Sequence, residues 1–220
     1  MEDHFESVEK LVTKRLKNFD YIKRVYQGSA PWMNTVFLTK EDIFQFYSKE
    51  KKDVVLQARA EQWFYVGISL ASVLTLQSGP PYVEAISTFW NEFESSLDSK
   101  GKMKDLISSS GKDVRTAATG SSNSNEYLTT PNIPSNLDYF EVIYTLCDLL
   151  EHVYKKFMAA DISTQTAKSI IKLDTRFKHH LLSPISKDTT AVAVNMLKQQ
   201  MNALDSIFAS SGWEEGAADE

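Results

Sequence analysis

Apolar residues recur at intervals of three and four along most of this chain, which is the spacing that places them on one face of an α-helix. The clearest stripes are Val83, Ile86, Trp90, Phe93 and Leu97 in one segment and Val192, Leu197, Met201, Leu204 and Phe208 in the last. No segment alternates apolar and polar residues over the length of a strand. The pattern therefore predicts an all-α fold of about six amphipathic helices in a bundle, because each helix has one apolar face to bury.

Residues with special backbone roles mark where these helices begin and end. Thr39 and Asp42 have the spacing of an N-terminal capping pair. Gly28 is expected to end the first helix, and the second helical region is expected to break near Asp53. Pro184 is expected to mark the end of the fifth helix or the start of the sixth, because proline cannot continue the backbone hydrogen-bond ladder.

One polar stretch interrupts the helical pattern. Nineteen of the 30 residues from Ser108 to Leu137 are Ser, Thr, Asn, Gly or Pro, a composition that buries too little apolar surface to offset chain ordering. We therefore expect a disordered loop over residues 108–136, whose serines and threonines are candidate phosphorylation sites. It separates an N-terminal helical half, residues 1–107, from a C-terminal half, residues 137–211, that packs on the first.

Charge is concentrated in an acidic tail, residues 212–220. No Lys or Arg follows Lys198, and the five carboxylates after it account for the whole net charge of −5. A neutral body lacks the basic surface that phosphate groups require, so nucleic acid is not an expected partner. The most apolar helical span, about 14 residues, is shorter than the roughly 20 that cross a bilayer, so no transmembrane segment is expected.

The compartment follows from cysteine usage and the N-terminus. Cys147 is the single cysteine, so the chain cannot form an internal disulfide, which fits a reducing compartment. The acidic start, Met1-Glu2-Asp3-His4, is unlike the basic start of a secretory signal. These features predict a cytoplasmic protein, with the nucleus as the alternative.

The best cluster of polar groups is Asp148, Glu151 and His152. Positions 148 and 152 are one helical turn apart, but a carboxylate-bridged metal pair needs two Glu-x-x-His motifs, and the sequence has none. We expect solvated carboxylates beside a surface histidine. His179 and His180 are adjacent and point in different directions on a helix, so packing or surface roles are expected and no metal site is predicted.

No residue pattern predicts catalysis or a cofactor. Cys147 falls on an apolar stripe between Tyr144 and Leu150, where burial raises the thiol pKa and makes it a small hydrophobe instead of a nucleophile. The Gly-Ser segments of the loop lack the strand and the lysine spacing of a phosphate-binding loop. A non-catalytic protein without cofactors is expected, and an enzyme with a dispersed active site is the remaining alternative.

Two segments are candidate partner-binding sites. Residues 30–38 are mostly apolar although they lie between two helices, so they either cross the bundle with Trp32 and Phe37 filling a gap, or present Trp32, Met33 and Phe37 as anchors for a partner. Trp213, followed by four carboxylates, is either a short linear motif for a basic groove or part of a solubilising tail.

Residues 176–185, Arg-Phe-Lys-His-His-Leu-Leu-Ser-Pro-Ile, resemble a stretch in the helical region of a KICSTOR-complex subunit family, a lysosome-associated scaffold. The resemblance extends loosely over residues 139–205. It implies a helical scaffold subunit without catalysis, and it transfers no functional residue. Members of that family are longer and carry a second domain for which these 220 residues leave no room.

These observations favour a binding role over chemistry. We expect a non-catalytic adaptor or scaffold subunit of a cytosolic multiprotein complex, with other proteins as its partners. The alternative is a helical bundle that encloses a small apolar ligand or lipid, which is suggested by the aromatic residues around Trp63, Phe64, Trp90 and Phe93. The sequence leaves the partners and the oligomeric state open.

Overall fold

The computed structural model describes residues 2–49, 53–109, 125–133, 137–158 and 163–210. Within these ranges the chain forms seven α-helices, and its only β-type pairing is an isolated bridge between Trp32 and Val36. The helices are α1 Glu2–Tyr26, α2 Lys40–Lys49, α3 Asp53–Val73, α4 Pro80–Ser109, α5 Tyr139–Phe157, α6 Thr164–Phe177 and α7 Ser183–Ser210. A π-helical segment joins α6 to α7, so there are six separate helical rods and the predicted all-α bundle is confirmed.

Local signals placed several helix ends correctly. The backbone N–H of Thr39 donates to the Asp42 carboxylate over 2.9 Å, and the N–H of Asp42 donates back to the Thr39 hydroxyl over 3.1 Å. Gly28 has a φ of +71°, the left-handed conformation that lets the chain leave α1. The predicted break near Asp53 falls at residues 50–52, which lie outside the described residues, between the described parts of α2 and α3.

Pro184 lies at the start of α7, one of its two expected positions, but no gap separates α7 from α6. Helical backbone continues through Lys178–Leu182 as a π-helical segment, in which the N–H of Ser183 donates to the carbonyl of Lys178. Pro184 has no N–H to donate to the carbonyl four residues earlier, and a wider π turn accommodates such a gap without ending the helix. The proline therefore changes the helix geometry here without breaking the rod.

Both halves of the sequence contribute to one continuous apolar core. Helix α5 packs against α1 on one side and α3 on the other, α4 packs on α3 and α6, and α2 packs on α3 and α7. Trp63 of α3, Trp90 of α4 and Tyr154 of α5 are among the largest fully buried side chains. No helix within the described ranges combines the length and hydropathy that a bilayer crossing requires.

A buried ion pair fixes α1 to α6. The Arg15 guanidinium donates to both carboxylate oxygens of Asp174 over 2.6 and 2.7 Å, and the Tyr154 hydroxyl donates to the same carboxylate over 2.8 Å. Both charged side chains are about one-tenth exposed. Because the two charges neutralise each other inside the bundle, loss of either one would leave the other buried without compensation.

The end of the polar stretch is anchored to the bundle by backbone hydrogen bonds, although most of its side chains are exposed. Residues 125–133 lie over α3 and α4, where the Glu92 carboxylate accepts hydrogen bonds from the backbone N–H groups of Glu126, Tyr127 and Leu128 over 2.7 to 3.0 Å. The Leu128 side chain is buried. This part differs from the disordered loop expected over 108–136, while positions 110–124 and 134–136 of that loop lie outside the described residues.

Candidate protein-binding surfaces

The second half of α7 projects beyond the bundle. Among the side chains of α7 that are described, Val192 and Ala193 are the last buried ones, and every residue from Leu197 to Ile207 is exposed. The hydrogen bonds that Thr189 and Thr190 make with Tyr26 and Trp32 belong to the first half of α7. The result is a helix with solvent on all sides, which is unusual for a sequence with a strong apolar stripe.

Four exposed apolar side chains line one face of this projecting half. Val194, Leu197, Met201 and Leu204 follow one another at intervals of three, four and three residues, and the latter two are 62% and 52% exposed. We call these four residues the α7 seam. The spacing is that of the core positions of a two-stranded coiled coil. Of the stripe expected along the last helix, Val192 is buried, Leu197, Met201 and Leu204 are exposed because no helix of the described ranges covers them, and the Phe208 side chain lies outside the described residues.

The 30–38 connector buries Trp32, contrary to its role as a candidate anchor. Trp32 is 6% exposed, its ring stacks on Tyr21 at 5.8 Å, and its indole N–H donates to the Thr190 hydroxyl of α7 over 3.1 Å. These contacts join the connector to α1 and to the first half of α7. Trp32 is therefore a packing residue, and it is not available to a partner.

Met33 and Phe37 are the exposed apolar residues of the connector. They are 61% and 58% exposed, while Val36 and Leu38 on either side of Phe37 are buried. Met33 and Asn34 have φ values of 48° and 56°, so a tight left-handed turn lifts Met33 away from the bundle. The expectation that Phe37 fills a gap is corrected, because extended backbone alternates its side chains and directs Val36 and Leu38 inward.

An apolar groove of about 380 Å³ lies between α3 and α5. Its walls include Phe64 and Ile68 of α3 and Leu137 and Leu149 near α5. A Cβ atom added at Gly67 would meet no other atom within 4 Å, so the groove is open at this glycine. The groove is large enough for a small apolar molecule but lies at the low end of ligand-site volumes.

The acidic cluster of α5 is occupied by a lysine. Lys23 of α1 places its ammonium 2.7 Å from a carboxylate oxygen of Asp148 and 2.7 Å from one of Glu151. The hydrogen bond from Lys23 holds the pKa of Glu151 below its ordinary value. His152 hydrogen-bonds through Nδ1 to the backbone carbonyl of Asp148, on its own helix. The cluster therefore joins α1 to α5 instead of gathering ligands around one point.

His180 packs as expected. Its ring stacks on Trp90 at 5.1 Å and its Nε2 lies 3.0 Å from a carboxylate oxygen of Glu94, while the exposed His179 ring meets it edge-on at 4.7 Å. Among the residues that the structure describes, no three His, Cys, Asp or Glu side chains are placed to hold a metal ion.

Cys147 is buried on the inner face of α5, as its place on an apolar stripe predicted. Burial raises the pKa of its thiol to about 12, so the group stays protonated at neutral pH. Trp213 and the acidic tail, residues 212–220, lie outside the described residues.

No protein-family model, curated protein or solved structure matches this chain. The stretch 176–185, which carries the resemblance to a KICSTOR-complex subunit family, spans the end of α6, the π-helical segment and the start of α7. That resemblance stays a sequence-based expectation.

Proposed function

We propose that this protein is a non-catalytic adaptor subunit of a cytosolic multiprotein complex. The α7 seam is the observation that supports this proposal. It presents a row of apolar side chains along one face of a helix, and no other described part of the chain covers that face. Exposed apolar patches on soluble proteins commonly mark interaction sites. The Met33 and Phe37 turn supplies a second exposed apolar surface on the same molecule.

The stability of the projecting helix also supports a protein partner. Short helices are marginal in water, and most helical stability in proteins comes from packing an amphipathic face. Residues 194–207 receive little of that packing from the bundle, because none of their side chains is buried. A partner that covers the α7 seam would supply the missing contacts.

The adaptor role is tested by purifying the tagged full-length protein from its own cells and identifying bound proteins by mass spectrometry. Two variants, Leu197→Asp/Leu204→Asp in the α7 seam and Met33→Asp/Phe37→Asp in the turn, are each expected to lose stoichiometric partners. Gln199→Asp/Ser206→Asp adds the same charge on the opposite face of α7 and is the matched control. Absence of any stoichiometric partner, or full retention of all partners by both variants, would contradict the proposal.

A second candidate function is supported by the groove between α3 and α5, which would bind a small apolar ligand or lipid. Native mass spectrometry of the purified protein, followed by solvent extraction, is expected to reveal a bound apolar molecule. Gly67→Leu should expel it by filling the groove, whereas the Gly67→Ala control should retain it because the added methyl group occupies open space. Equal ligand content in both variants would argue against this function.

A further inference from the structure

The α7 seam carries information about its occupant. In a heptad numbering that places Val194 and Met201 at position a and Leu197 and Leu204 at position d, the flanking e positions are Lys198 and Asp205. The two flanking charges on this edge are thus opposite in sign and seven residues apart. A helix of the same sequence can complement both of them only in one orientation.

We propose that the α7 seam is covered by α7 of a second copy of this chain, running antiparallel to the first. This inference rests on the proposed protein-binding role of the seam and names its occupant. In an antiparallel pair the e positions of the two helices face each other, so Lys198 faces Asp205 of the second copy, twice by symmetry. In a parallel pair, Asp205 would face Gln200 and no opposite charges would meet.

The charges also select the register of the antiparallel pair. Seam residues can be matched so that Met201 lies against Leu204 of the second copy, or so that it lies against Leu197. The first register brings Lys198 to Asp205 of the second copy, while the second brings Lys198 against Lys198. Like charges directly opposed disfavour an association, so the first register is selected.

The length of α7 points to the same register. With Met201 against Leu204, position 195 lies opposite position 210 of the second copy, so the described part of α7 fits alongside its partner helix without meeting the other bundle, whose last buried α7 residue is Ala193. The alternative register would drive residues 205–210 alongside the other bundle. The overlap of about 16 residues would span about 24 Å, and so short a coiled coil predicts a concentration-dependent equilibrium between monomer and dimer.

The mass of the full-length protein, measured by light scattering and sedimentation over a range of concentrations, tests the dimer. The wild type should approach the dimer mass as concentration rises. Leu204→Asp should raise the dimer dissociation constant by at least about tenfold, because it buries a charge in the seam. Gln199→Asp, on the opposite face of α7, should leave it unchanged. A monomer at every concentration would overturn the proposal.

Charge exchange tests the orientation. Lys198→Asp alone and Asp205→Lys alone each place two like-charged pairs in the dimer, so each should raise the dissociation constant by about fivefold. An equimolar mixture of the two variants should recover dimer formation, because every pair across the heterodimer is then Asp against Lys. Failure of the mixture to recover would contradict the antiparallel register.

A cysteine substitution at position 197 tests the orientation of the two helices independently. In the proposed register the two copies of position 197 are separated by about 16 Å along the axis, so Leu197→Cys should form no disulfide under oxidation. A parallel dimer would bring these positions together, and a disulfide there would overturn the proposal. Native Cys147 is buried and does not compete. If the wild type is monomeric but the Met33→Asp/Phe37→Asp variant still loses other partners, the dimer is rejected and the adaptor role stands.

Discussion

The two halves of α7 carry the same kind of apolar stripe but meet opposite surroundings. In the first half Ile185, Thr189 and Val192 are buried, whereas in the second half Met201 and Leu204 are more than half exposed. The difference lies in what stands opposite each half, since both have the spacing of an amphipathic helix. A stripe therefore identifies a face that needs covering, and the rest of the fold decides whether this molecule or another one covers it.

Contacts from distant segments hold the first half in place. The Tyr26 hydroxyl lies 3.0 Å from the Thr189 hydroxyl, and the Trp32 indole donates to Thr190. Both partners come from the N-terminal end of the chain, more than 150 residues away in sequence. Beyond Ala193 no comparable buried contact is made by the residues whose side chains are described, and this marks the boundary between core and surface.

The largest expected effect comes from the packed part of the molecule, where Arg15 and Asp174 form a buried ion pair. Arg15→Met should lower the free energy of unfolding by about 3–5 kcal/mol, because it leaves the Asp174 carboxylate buried without its counter-charge. Urea unfolding followed by circular dichroism measures the loss. Arg15→Met/Asp174→Leu should lose less than the single variant, since both charges are then removed. A loss below about 1 kcal/mol in Arg15→Met would refute the buried pairing.

A matched pair of truncations sharpens the contrast within α7 itself. Ile185→Ala should cost about 2–5 kcal/mol of unfolding free energy, because it leaves a cavity in the core. Leu204→Ala should cost less than about 0.5 kcal/mol when measured at concentrations where the protein is monomeric, since its side chain is already half exposed. Similar costs at the two positions would show that both halves are packed alike.

A smaller effect than that of Ile185→Ala is expected at the partly exposed pairing of α1 with α5. Lys23→Met should lower the unfolding free energy by about 1 kcal/mol at pH 7, reduced by solvent screening. The depressed pKa of Glu151 means that its contribution is present above the unfolded-state pKa of about 4.3 and is lost as pH falls through the folded-state value. The difference between variant and wild type should therefore narrow in urea titrations below pH 4.

Lys10→Met is the control for that titration, because Lys10 pairs with Glu6 on an exposed surface of α1. Its effect should stay below about 0.5 kcal/mol at every pH. A pH-independent difference for Lys23→Met would show that packing of the lysine stem, and not the ion pair, stabilises the α1 to α5 contact.

Helices and their ends could be predicted because their causes are local. The Thr39 and Asp42 cap and the Gly28 turn each act on backbone within a few residues, so their effect is readable in sequence. The pairing of Arg15 with Asp174 joins positions 159 residues apart, and the Glu92 contacts to 126–128 use backbone N–H groups that carry no side-chain signal. Neither arrangement has a local pattern that identifies it.

The connector shows the same limit at a candidate site. Its composition left open whether its aromatic residues fill a gap or face a partner, and the fold buries Trp32 but exposes Phe37. Alternation along extended backbone is a signal that separates Phe37 from its neighbours Val36 and Leu38. The burial of Trp32 depends on Tyr21 and Thr190, which only the folded chain brings together.

By itself, the sequence determined that this protein is helical, where most helices begin and end, and which face of each is apolar. Periodicity and capping act over one or two turns, so they are encoded locally. Only the tertiary structure decided which apolar faces are covered, because burial depends on the helices that meet in space. In α7 the first half is part of the core and the second half carries the exposed seam, although both belong to one helix.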